Sequence, residues 1–104
     1  MPSVAIDYDK EKLRDFCRRW KITEFSLFGS VVRADFGPDS DIDVLVRFAP
    51  DAPWTLAGWL KMQRELEAIF QRRVDLIERD AVEGSDNRFR KRAILSSAVM
   101  LDVA

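Results

Sequence analysis

Residues 24–48, EFSLFGSVVRADFGPDSDIDVLVRF, hold two apolar runs joined by a turn-rich segment, and the second run decides how the chain must fold. Ile42, Val44, Val46 and Phe48 alternate with Asp41, Asp43, Leu45 and Arg47. On a strand, side chains alternate between faces, so these two sets lie on opposite sides of one sheet. One side is apolar; the other begins with two carboxylates. Upstream, Glu24-Phe25-Ser26-Leu27-Phe28 reads as a partner strand ended by Gly29, and Gly29-Ser30 turns the chain. Ser30 to Ala34 can form one helical turn, after which Phe36-Gly37-Pro38-Asp39-Ser40 is dense in turn residues.

Moving outward from this pair, Leu13, Phe16, Cys17 and Trp20 recur at the spacing of one buried helical stripe, which predicts a helix from Asp9 to Trp20. On the other side, Ala49-Pro50-Asp51-Ala52-Pro53 breaks the strand. A helix is predicted to start at Asp51 or Ala52 with Pro53 in its first turn, and to run to about Phe70. Its inner stripe is read as Leu56, Trp59, Leu60, Leu66, Ile69 and Phe70, with Lys61, Arg64, Glu65 and Glu67 solvated. Arg73 to Glu78 reads as a third strand. A last helix is expected from Ser85 or Asp86 to Ala98, turning Phe89, Ala93, Ile94 and Ser97 inward, with Val99-Met100-Leu101 as a short apolar extension. Cys17, Trp20 and Trp59 are expected core residues. The order α-β-α-β-α-β-α, counting the turn after Gly29 as helical, predicts an α/β or α+β fold in which helices cover a small sheet.

A chain of 104 residues is expected to form one domain, residues 1–104, since it is too short for a second core. With 47% hydrophobic and 34% charged residues it has the composition of a folded protein. Lysine and arginine total 17 against 18 acidic residues, so no overall basic excess points to bulk nucleic-acid binding. The apolar runs are short, and MPSVAIDYDK lacks the basic start and apolar middle of a signal peptide, which predicts a cytoplasmic protein with no membrane span. One cysteine and no histidine exclude an internal disulfide, Cys/His zinc sites and imidazole catalysis. Carboxylates, cations, hydroxyls and backbone amides remain, and any metal should be hard and oxygen-bound.

Asp41 and Asp43 suit such a metal. At i and i+2 on a strand they stand roughly 6.5–7 Å apart along the backbone, and their carboxylates can converge on metal ions about 3.5–4 Å apart, as in two-metal phosphoryl transfer. Magnesium keeps waters or substrate phosphates in its shell, so two or three carboxylates suffice. Asp75, in the third strand between Val74 and Leu76, is the candidate third ligand and is placed to help activate an incoming hydroxyl. Gly29 lets a phosphate approach the backbone, and Ser30 offers a hydroxyl and an amide at a helix start, where anions are favoured.

The residues Leu27-Phe28-Gly29-Ser30, ten further residues, then Asp41-Ile42-Asp43-Val44-Leu45-Val46 resemble the signature of the DNA polymerase β-type nucleotidyltransferase superfamily. Arg33, Asp35-Phe36, Pro38-Asp39-Ser40 and Arg73-Val74-Asp75-Leu76 extend the likeness, over nearly the whole chain, to its minimal nucleotidyltransferase branch. The resemblance implies a small mixed sheet packed on helices, a metal triad of Asp41, Asp43 and Asp75, a nucleotide-phosphate motif at Gly29 and Ser30, and magnesium with ATP. It also implies a role as antitoxin to a HEPN-type ribonuclease toxin, through transfer of AMP from ATP to a toxin hydroxyl, typically a tyrosine. Two positions depart from the branch: Ala34 stands where many relatives have glycine, and Val99-Met100-Leu101-Asp102 lacks a C-terminal tyrosine.

Each candidate has an ordinary structural reading as well. Asp41 and Asp43 can be a solvated turn leading into a strand, Asp75 can pair with Arg72 or Arg73, and Ser30 can be a helix cap. Arg33 either contacts phosphate or pairs with Asp35 or Asp39. The run Arg88-Phe89-Arg90-Lys91-Arg92 is either a solvated helix face or a patch for a nucleotide or partner. Two other functions stay open: an antitoxin that neutralises its toxin by binding alone, and a nucleotidyltransferase acting on a small molecule or an RNA end.

Overall fold

The computed structural model describes residues 8–29, 37, 40–52 and 55–101. Helix α1 spans Lys10–Arg19, followed by strands β1 (Ile22–Phe28) and β2 (Ile42–Phe48), helix α2 (Leu56–Phe70) and strand β3 (Val74–Glu78). Helices α3 (Arg79–Glu83) and α4 (Arg88–Ser97) and the short strand β4 (Val99–Met100) complete the order. The sheet runs β3-β2-β1-β4. β1 is antiparallel to both β2 and β4, whereas β2 and β3, joined through α2, are parallel. The expected small mixed sheet between helices is therefore the observed one.

The alternation in β2 has the predicted consequence. Ile42, Val44, Val46 and Phe48 enter the main core with Leu13, Phe16 and Cys17 of α1 and Met62, Leu66 and Phe70 of α2. Leu45, on the opposite face, packs with Phe28, Val82 of α3 and Ile94 of α4. The sheet is thus covered on both faces. Ile22 and Phe25 both reach the main core although three positions apart, because the pairing with β2 slips between Ile22 and Glu24. The extra residue of that bulge resets the alternation.

Local chemistry sets the helix ends. Asp9 caps α1, its carboxylate accepting the N–H groups of Glu11 and Lys12 at 3.0 and 3.1 Å. α2 begins later than predicted because Thr55 is its cap, its hydroxyl accepting the Gly58 N–H at 3.1 Å. Pro53 and Trp54 lie outside the described residues. The inner stripe of α2 also differs: Met62, Leu66 and Phe70 are buried, Trp59 and Ile69 half-buried, and Leu56 and Leu60 are 75% and 53% exposed. Leu60 is turned about 100° from Trp59, out of the stripe 59-62-66-70. Glu65 and Glu67 are not merely solvated, since Glu65 accepts the Trp20 indole N–H at 2.7 Å and Glu67 the Val74 N–H at 3.1 Å.

The C-terminal third departs most from expectation. Arg79–Glu83 folds as a separate short helix, and α4 starts at Arg88 with Asn87 as its cap. Ile94 alone of the four predicted inward residues is buried; Phe89 is 90% exposed, Ala93 is exposed and Ser97 half-buried. Five residues of helix separate Phe89 from Ile94, a rotation that leaves them about 140° apart. Val99–Met100 pairs with β1 as an edge strand, opposite Leu27 and Ser26. Among the described residues, no helix is long and apolar enough to cross a membrane.

Candidate functional site

The carboxylates gather where β1 ends and where β2 and β3 begin. Phe28 stands opposite Asp43, and on the other side of β2 Asp43 is in register with Asp75. Neighbouring strands lie about 4.8 Å apart, and in-register residues of parallel strands direct their side chains to the same face. That face is the one carrying Leu45 and Ile77, as the alternation predicts. Asp43 is half-buried and Asp75 exposed.

Gly29 closes the site from the β1 side. Its φ of +75° lies in the left-handed region, which glycine enters without steric cost. A Cβ at this position would run into the Asp43 carboxylate and stand 3.1 Å from its Cγ. The backbone at the end of β1 therefore approaches Asp43 as only a glycine allows. Ser30 and Arg33, the other residues expected to meet phosphate, lie outside the described residues, as does the predicted helical turn of residues 30–34.

Asp41 precedes β2, and the register that pairs Ile42 with Val74 sets it beside Arg73. The Arg73 guanidinium lies 3.2 Å from the Asp41 carboxylate, with the two side chains 82% and 49% exposed. A pair so open to water is worth well under about 1 kcal/mol, so Arg73 yields Asp41 readily to a stronger cation. The arginine that sequence set against Asp75 thus pairs with Asp41. Arg72 instead clamps the segment entering β2, donating to the carbonyls of Gly37 and Ser40 at 2.8 and 3.1 Å. Those two residues are themselves joined, Ser40 N–H to the Gly37 carbonyl and Gly37 N–H to the Ser40 hydroxyl. Sequence reading missed both roles; the only signal for them was the position of two arginines immediately before β3.

Among the described residues, no three metal-ligating side chains converge into a ready-made cage. The donor set still fits a hard cation of the magnesium kind, which takes one or two carboxylates and completes its octahedron with water and phosphate oxygens. Asp43 and Asp75 are in register on neighbouring strands, Asp41 lies two residues before Asp43 in a weak ion pair with Arg73, and every donor is oxygen. At the opposite end of the same sheet face, Arg47 binds Glu24, Asp80 and Glu83. The hydrogen bond from Arg47 holds the Glu83 carboxyl below its ordinary value. Those acids are committed to structure.

Known proteins resemble this chain in sequence and in fold. Residues 10–101 match the model of the family described as nucleotidyltransferase domain. The chain is 35% identical, over 74 residues, to the protein adenylyltransferase MntA of Thermococcus cleftensis, covering 71% of this chain and 70% of that one. A solved structure assigned as a minimal nucleotidyltransferase superposes with a TM-score of 0.66 at 30% identity, covering 88% of each chain. The fold also matches a crystal structure of a toxin-antitoxin with AMP-PNP, with a TM-score of 0.65 at 17% identity over 88% of this chain and 71% of that one.

Proposed function

The chain belongs to the nucleotidyltransferase domain family, and from that premise we propose that it transfers AMP from ATP to a tyrosine hydroxyl of a HEPN-type toxin and so acts as its antitoxin. The observation that carries this reading is the contact of Gly29 with Asp43, itself in register with Asp75. It sets a glycine turn with left-handed backbone beside paired carboxylates for a hard cation, the kind of pairing that phosphoryl transfer needs. Relatives named as protein adenylyltransferases, and the fold likeness to a toxin-antitoxin with AMP-PNP, support the nucleotide and the class of acceptor.

In this reading Asp41, Asp43 and Asp75 hold magnesium, and Gly29, Ser30 and Arg33 face the polyphosphate. The ion, when bound, neutralises phosphate charge and makes the reacting phosphorus more electrophilic. The acceptor oxygen forms a bond to the α-phosphorus while the bond from that phosphorus to the bridging oxygen breaks. Pyrophosphate leaves and Asp75 helps draw the hydroxyl proton. In this reading the acceptor hydroxyl is supplied by another molecule.

The test is to incubate the protein with the product of its neighbouring gene, magnesium and ATP labelled at the α-phosphate. Label on a tyrosine of that product, lost in Asp41→Asn with Asp43→Asn, supports adenylyl transfer. Silencing of the partner's nuclease without label, and equally by the double variant, would show that binding alone neutralises it.

A further inference from the structure

The fold leaves one helix face without an internal role. α4 buries only Ile94, and its sequence RFRKRAILSS opens with four cations around Phe89. Arg19, Lys21, Arg47, Arg73 and Arg79 all form ion pairs. Arg88, Arg90, Lys91 and Arg92, by contrast, pair with no described acid. The first turn of α4 has no acidic residue, so its arginines sit at the positive end of the helix dipole, where cations are locally unfavourable.

Phe89 projects from this cationic surface at 90% exposure. With Arg88, Lys91, Arg92 and Leu95 it borders a shallow concavity of about 790 Å³. Phe89 and Leu95 supply its apolar part and Arg88, Lys91 and Arg92 its charge, the composition of an interface centre enriched in aromatic and arginine residues. The chain as a whole carries a net charge of −1, so the attraction is a local cationic field at this face, felt within about a Debye length of 8–10 Å.

We propose that this face of α4 is the docking surface for the acceptor protein, and that it takes an acidic segment whose apolar side chain seats between Phe89 and Leu95. Carboxylates of that segment would meet the unpaired cations and relieve their mismatch with the helix dipole. The proposal rests on the acceptor being a protein. Since Ile94 packs α4 against Leu45, which alternation puts on the same face of β2 as Asp43, α4 lies on the sheet face that carries Asp43 and Asp75.

Titration calorimetry with the purified product of the neighbouring gene tests it, using the wild type, Phe89→Ala and the double variant Arg88→Glu with Arg92→Glu. None of these residues supports the core, and unchanged ATP binding reports an intact site. Each variant should weaken partner binding by about tenfold or more, with the charge variant also losing the salt dependence of the wild type. Unchanged binding in both variants overturns the proposal, as does a wild type that fails to bind the partner. A 20-nucleotide RNA bound more tightly than the partner, and released by the same substitutions, would assign the face to nucleic acid and overturn it too. The transfer reading stands or falls separately: a partner bound through α4 yet never labelled removes adenylyl transfer and leaves the docking surface.

Discussion

Replacing Gly29 by alanine perturbs the site at its tightest point. At φ +75° an alanine enters the left-handed region, at a cost of about 1–2 kcal/mol. Its methyl would also meet the Asp43 carboxylate, and turning that side chain off its rotamer costs about another 0.5–1.5 kcal/mol. A total of about 1.5–3.5 kcal/mol lowers Tm by roughly 6–28 °C, at about 4–8 °C per kcal/mol for a domain of this size. Gly84→Ala is the control: its φ is −87° and an added Cβ would lie 3.4 Å from the nearest atom, the Asp80 carbonyl oxygen, so its effect should stay within about 0.5 kcal/mol. Calorimetric melting of both variants, with label transfer measured well below either Tm, separates strain from chemistry. Gly29→Ala should lose transfer even where it is fully folded, because the displaced carboxylate is the one placed beside Asp75. Melting and transfer indistinguishable from those of Gly84→Ala would refute the close approach.

Asp43→Asn and Asp75→Asn should each lower transfer by roughly 10²–10³-fold while leaving urea unfolding little changed, since neither side chain is buried; a large stability loss would make them structural. Met62→Ala should cost about 2–5 kcal/mol and Leu60→Ala less than about 0.5 kcal/mol in the same unfolding assay, because Met62 is fully buried and Leu60 is 53% exposed. Burial pushes the Cys17 thiol from 9.0 up to about 12, so folded protein should resist alkylation at pH 9. The unfolded chain releases that proton first, so this contribution to stability is whole below pH 9 and declines as pH rises towards 12, by at most about 1.4 kcal/mol per pH unit. Cys17→Ala should remove that alkaline decline, measured as Tm against pH.

Where one residue pattern had a single physical solution, the fold could be read in advance. The alternation through Asp41 to Phe48 assigned each side chain to its observed face, and the stripe Leu13-Phe16-Cys17 defined the buried side of α1. Where several patterns competed, burial depended on tertiary contacts. Phe89, Ala93 and Ile94 form an acceptable helical stripe, but Ile94 alone meets Phe28, Leu45 and Val82, which rotates the aromatic ring into solvent. Pro53 suggested an early start to α2, whereas the hydroxyl of Thr55 supplied the cap. The short α3 has no capping side-chain bond to announce it.

The site itself was legible as a list of residues but not as a set of pairings, because pairings depend on register. β3 lies beside β2 only after the crossover through α2, and its alignment is held from two sides. Gln63 and Glu67 of α2 bind the carbonyl and N–H of Val74, while Arg72 grips Gly37 and Ser40 ahead of β2. The Ile42 N–H then bonds the Arg73 carbonyl at 2.9 Å. A slip of one residue would turn every side chain of β3 over, burying Asp75 in place of Val74 and Leu76. The cost of burying that charge makes the observed register the stable one. The same apolar pattern that covers the core therefore brings Asp75 to Asp43, and residues far from any nucleotide, Gln63, Glu67 and Arg72, determine whether the two carboxylates meet.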